Sequence, residues 1–137
     1  MIVALLFWLL ALASTGVALL YGGRDGRRAA LLILSASVLT IVASRIDHGW
    51  QQVEVARLGV DLLLLAGLYA LMLDSRRWWP IWMTGFHLAA VASHLAVAIA
   101  PAFLPRMYRA IESFWAIPVL LSLMLGVAFD VRRHVRD

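Results

Sequence analysis

Residues 55–73 read "VARLGVDLLLLAGLYALML". The stretch carries two charged side chains, Arg57 and Asp61, and holds no proline. An α-helix needs about 17–25 predominantly apolar residues to cross roughly 30 Å of hydrocarbon, and this run meets that requirement. Four more apolar runs flank it, at residues 1–21, 29–44, 79–100 and 108–129. The predicted fold is therefore all-α: an integral membrane bundle of five transmembrane helices, with residues 1–137 as one domain. The run at 29–44 is short, and Arg28 and Arg45 are expected to extend it by snorkelling.

Composition agrees. Of the 137 residues, 64% are hydrophobic and 15% charged, with a mean hydropathy of +0.88. Soluble domains average about 45–50% apolar and 25% charged residues. With no cysteine, disulfides, thiolate metal sites and cysteine nucleophiles are excluded. Alanine and leucine dominate and all twelve basic residues are arginine, which suggests a GC-rich bacterial genome. The net charge of +4 is spread over short loops, a pattern that suits membrane orientation better than nucleic-acid binding.

Arginine placement predicts the topology. Arg24, Arg27 and Arg28 fall in the first loop, Arg76 and Arg77 in the third, and Arg132, Arg133 and Arg136 in the tail. In the second and fourth loops Asp47, Glu54 and Glu112 offset Arg45, Arg57, Arg106 and Arg109. The positive-inside rule then puts the amino terminus outside and the carboxyl terminus in the cytoplasm, in a bacterial inner membrane. The alternative is a signal peptide cleaved near "ALAST". Against it, no basic n-region precedes the run, and cleavage would invert every later loop.

Other features are membrane grammar. Trp78, Trp79 and Trp82 are expected to form an aromatic belt at the start of the fourth helix, with Trp50, Tyr108 and Trp115 on the other side. Pro80 fits the first helical turn, and Pro101 and Pro105 are expected to end that helix. Pro118 permits a kink in the fifth. Small residues at Ala36/Thr40/Ser44, Ala66/Ala70 and Ser122/Gly126 would let helices approach closely.

The ionisable groups inside the runs carry the functional question. Each costs about 2.5–3.5 kcal/mol near the bilayer centre, so such groups turn toward protein or water. Asp61 and His94 each lie about 9 Å below the outer ends of their helices, on neighbours joined by "DSRRW". They should fall at one level and hydrogen-bond. The structural alternative is that Arg57, one turn from Asp61, neutralises it and that His94 bonds only a backbone carbonyl. His87 lies two turns from His94, about 10.5 Å along the axis, so both rings share a face but cannot share one metal ion. Haem b would need a second ring at matching depth; a pairing of His94 with His48 is the one available. Arg45, Asp47, His48, Arg57 and Glu112 complete a candidate ligand- or proton-binding rim at the outer end. No G-x-S-x-G, H-E-x-x-H, Walker loop or G-x-G-x-x-G occurs, so no catalytic residues are predicted.

Three segments, "VDLLLLAGLYAL", "SRRWWPIWMTGFHLAAVASHLA" and "ESFWAIPVLLSLMLG", resemble small multi-pass inner-membrane proteins of GC-rich proteobacteria. The resemblance spans roughly residues 45–129 and rests on Asp61, Trp79 with Pro80, Trp82, His94, and Trp115 with Pro118. His87 departs from it, since a glutamine-like residue stands there in that family. It implies a fold and a location and attaches no activity.

The expected function is that of a small inner-membrane protein of accessory, scaffold or polar-ligand-binding type, with a polar seam between the third and fourth helices open to the outer side. No resident cofactor is expected. A proton- or ion-coupled transporter subunit is the first alternative and a haem-binding electron-transfer anchor the second. The lipid bilayer is the expected partner, with a homo-oligomer or larger membrane complex compatible.

Overall fold

A computed structural model describes the backbone of residues 2–45, 50–99 and 105–134, with side chains over 5–45, 55–96, 99 and 114–133. The described residues form five helices and no strand: α1 (Ile2–Tyr21), α2 (Gly23–Arg45), α3 (Trp50–Asp74), α4 (Trp79–Ile99) and α5 (Pro105–His134). Gly23–Arg45, Val55–Asp74 and Phe114–Arg133 are long and apolar enough to cross a membrane, and Leu5–Tyr21 is a shorter apolar helix.

Several boundaries differ from the hydropathy reading because helices do not end where apolarity ends. The stretch "GGRDGRR" is mostly helix, since α2 begins at Gly23. With 23 residues, α2 is about 35 Å long, and its apolar part still begins at Ala29, after Arg24, Asp25, Arg27 and Arg28. The turn from α1 is confined to Gly22 and Gly23. Gly23 has φ +59°, a left-handed conformation that glycine adopts without Cβ strain. A Cβ on Gly22 would lie 2.4 Å from the Ala18 carbonyl oxygen. Pro105 opens α5 instead of closing α4, a position where its missing N–H is harmless.

Each helix packs against its neighbours in sequence, and α1 also packs against α5. The result is a closed ring. Short connections make consecutive helices antiparallel, so an odd number of them leaves α1 and α5 parallel. Small residues face inward: Ala11, Ser14, Thr15 and Ala18 on α1, and Ala29, Ala30, Ala36 and Ala43 on α2, are buried. Many leucines face outward, Leu9 at 62% exposure and Leu63 at 67%, while Leu68, Leu71, Leu120 and Leu123 are buried. This inversion of the soluble pattern suits a hydrocarbon solvent, where small residues bring backbones together. Ser122/Gly126 behaves as expected, with Gly126 against Trp79. Ala66 and Ala70 do not: both are exposed, and Gly67 takes the close contact, against Leu32.

Trp79 corrects the aromatic-belt expectation. It is fully buried, whereas Trp78 and Trp82 remain exposed. Its indole Nε1–H donates to Asp130 Oδ2 on α5 at 3.0 Å, which satisfies the one polar atom that burial would otherwise orphan. Asp130 also accepts from Arg77 Nη1, and the Arg77 Nε lies 3.6 Å from Asp25 on α2. Ser75 Oγ donates to Asp25 at 2.8 Å. Arg24 and Arg28 both pair with Asp74. The arginine-rich end of the ring is thus clamped by partly buried charges from α2, the α3–α4 turn and α5.

Candidate functional site

Asp61 sits near the middle of α3, away from that clamp. Its Oδ2 accepts from His94 Nδ1 at 3.0 Å, and its backbone carbonyl accepts from His87 Nε2, also at 3.0 Å. A helix explains how one residue serves two rings. Helical Cα–Cβ bonds tilt toward the N-terminus, while the carbonyls point toward the C-terminus. The carboxylate of Asp61 and its carbonyl therefore reach in opposite directions along α3. Antiparallel α4 presents His94 beside the first and His87, two turns away, beside the second. Both rings are buried, His94 at 4% exposure and His87 at 7%.

The bonds assign the tautomers. A carbonyl oxygen can only accept, so His87 carries its proton on Nε2 and, when neutral, leaves Nδ1 as an acceptor. His94 donates from Nδ1 to the carboxylate. Closer to the arginine-rich end, Thr84 Oγ1 lies 3.1 Å from the Leu68 carbonyl and 2.8 Å from that of Pro80, a further polar tie between α3 and α4.

A cavity of about 380 Å³ opens beside this contact. All five helices line it: Phe7, Trp8 and Ala11 from α1, Ala36, Ser37 and Thr40 among others from α2, Arg57, Asp61 and Leu64 from α3, His87 and Ala90 from α4, and Ala116, Val119 and Leu120 from α5. The open space thus differs from the expected one: it is the interior of the ring, and the α3–α4 seam forms one wall of it. His94 supports that wall from behind and is not among the lining residues.

Arg57 lines the same wall and donates from Nη2 to Ser44 Oγ on α2 at 3.2 Å. Asp61 accepts from His94, and the backbone-carbonyl bond that the structural alternative gave to His94 is made by His87 instead. Because α3 starts at Trp50, Asp61 lies about 16 Å along it, deeper than a start at Val55 implies. Arg45 ends α2 exposed, away from the cavity lining. Asp47 and His48 lie outside the described residues, as does the side chain of Glu112. The His94–His48 haem geometry therefore lies outside them too. Among the described residues no group of three or more His, Asp or Glu side chains converges as a metal site.

Sequence reading missed Phe7, Trp8, Ser37 and Thr40 as cavity residues. Ser37 and Thr40 lie three apart on the face of α2 that carries Ala36 and Ser44, a polar stripe visible in the sequence. Nothing local placed α1 opposite it. No known protein family, curated protein or solved structure matches the chain.

Proposed function

We propose that this is a five-span bacterial inner-membrane protein that binds a small molecule inside its helical ring. Its amino terminus lies outside, and its arginine-rich end faces the cytoplasm. The observation that carries the reading is a cavity to which all five helices contribute, mostly apolar but walled on one side by Arg57, Asp61 and His87. Ligand sites typically occupy about 300–1,000 Å³ and combine apolar walls with a few converging polar groups. A guanidinium and a carboxylate at membrane depth are costly. Tying α3 to α4 needs neither of them to line a cavity.

The test uses 1-aminoanthracene, a fluorophore that brightens in apolar cavities. The purified protein is expected to bind it saturably. Ala36→Phe, which fills the cavity from α2, is expected to weaken binding about tenfold, a loss of about 1.4 kcal/mol. Equal binding by parent and variant would remove the cavity as a ligand site.

Orientation has its own check. The chain has no cysteine, so single cysteines can be labelled without background. On intact cells a membrane-impermeant maleimide should label Arg45→Cys and spare Arg27→Cys. The reverse pattern would overturn the arginine argument.

A further inference from the structure

We infer that the occupant of the cavity is a lipid-soluble molecule headed by an aromatic hydroxyl, a quinol, admitted from the bilayer between α1 and α2. This rests on the cavity being a ligand site, and it adds the class of ligand and the route.

Route comes first. Of the cavity-lining residues, Trp8 on α1 and Ile41 on α2 are exposed, each at 43%, on the outer flank of the ring. The others are buried or half-buried. Among the described residues, the exposed edge of the cavity therefore lies between α1 and α2, on a flank that faces hydrocarbon in a membrane. A molecule arriving that way must be soluble in lipid, because an ion carried through hydrocarbon meets the penalty that excludes charged side chains.

The inventory of donors and acceptors then selects the head group. Ser37 Oγ donates to the Ile33 carbonyl at 2.8 Å and Thr40 Oγ1 to the Ala36 carbonyl at 2.9 Å. Both hydroxyls have spent their hydrogens on α2 and face the cavity as acceptors. His87 spends its Nε2–H on the Asp61 carbonyl, so its Nδ1 also accepts. Asp61 accepts only, and a carboxylate with four lone-pair positions has room beyond His94. Among the lining side chains Arg57 brings charged donors to this wall, and Trp8 on α1 carries an indole N–H. A ligand suited to the wall must give a hydrogen to His87 or Asp61 and accept one from Arg57. A phenolic hydroxyl does both with one oxygen. The oxidised quinone, which only accepts, leaves His87 and Asp61 facing another acceptor. The volume of about 380 Å³ takes a single substituted ring, and the edge-on pair of Phe7 and Trp8, with centroids 5.9 Å apart, supplies aromatic surface beside it.

The full chain in nanodiscs of phosphatidylethanolamine and phosphatidylglycerol, loaded with 1-aminoanthracene, is titrated with a short-chain benzoquinol and, separately, with its oxidised quinone. The quinol is expected to displace the fluorophore about tenfold more tightly than the quinone, the worth of one good hydrogen bond to a charged or polar acceptor. His87→Gln, whose amide can keep the bond to the Asp61 carbonyl, should shrink that preference. Ile41→Trp, at the mouth, should slow association and tests the route without touching the polar wall. Equal affinities, or a fluorophore that binds yet resists the quinol, would overturn the quinol assignment while leaving a ligand cavity in place. An unchanged association rate in Ile41→Trp would overturn lateral entry. Failure of the fluorophore itself to bind would remove both readings together.

Discussion

Gly126→Leu is expected to abolish the native bundle, and Gly126→Ala to destabilise it by about 1–3 kcal/mol, the usual range for overpacking. A Cβ at residue 126 would stand 2.2 Å from Trp79 Cγ, 2.4 Å from its Cβ and 2.5 Å from its Cδ1. Those atoms are the root of the ring, so no rotation of the tip relieves the clash. The ring cannot retreat either, being fully buried and held through Nε1 by Asp130. Gly67 provides the internal comparison. Its added Cβ would meet Leu32 Cδ2 at 2.6 Å, the far end of a flexible side chain, so Gly67→Ala should cost much less. Denaturation in mixed micelles, followed by circular dichroism, measures both. Trp79→Ala should itself cost about 3–5 kcal/mol, yet it should make Gly126→Ala nearly neutral. A Gly126→Ala midpoint equal to the parent's would show that α4 and α5 do not meet through this ring.

The second large effect is expected at Asp61, and the choice of replacement decides it. Asp61→Ala removes the acceptor of the His94 Nδ1–H and leaves that donor buried, at a cost of about 1–3 kcal/mol. Asp61→Asn keeps a carbonyl oxygen that can accept the same hydrogen and should cost less, in line with the roughly 0.6 kcal/mol average for interhelical hydrogen bonds in membranes. Neither replacement touches the backbone carbonyl that holds His87. Nitrogen-15 spectra of the imidazoles therefore separate the two contacts. Neutral His87 should carry its proton on Nε2 in the parent and in both variants. The His94 signals should move strongly in Asp61→Ala and little in Asp61→Asn. Identical stability for the two variants, with His94 unmoved, would sever the link between α3 and α4 that the cavity wall depends on.

Asp61 also shows how far local reading reached. Depth along a helix follows from 1.5 Å per residue, and short connections make neighbours antiparallel, so the level of Asp61 with His94 was legible. Its second contact was not: a backbone carbonyl is a foreseeable partner for a histidine, but local reading could not tell that His87 would take it or that the carbonyl would be that of Asp61. Trp79 marks a different limit. In "RRWWP" the sequence offers two adjacent tryptophans at a helix start, equivalent by any compositional rule. Only the approach of Gly126 and Asp130, 47 and 51 residues later in the chain, separates the buried ring from the exposed one.

Helices long and apolar enough to cross a membrane, a turn after Tyr21 and the clustering of arginines at one end follow from residue order alone. Hydrophobicity, φ preference and charge act over one turn or one span, and each is written locally. The closure of α1 onto α5, the cavity this encloses and the charge clamp of Asp25, Arg77 and Asp130 depend on contacts between residues far apart in the chain. Side-chain shape settles those contacts, because apolar surface alone cannot choose a neighbour where lipid is as good a solvent as protein.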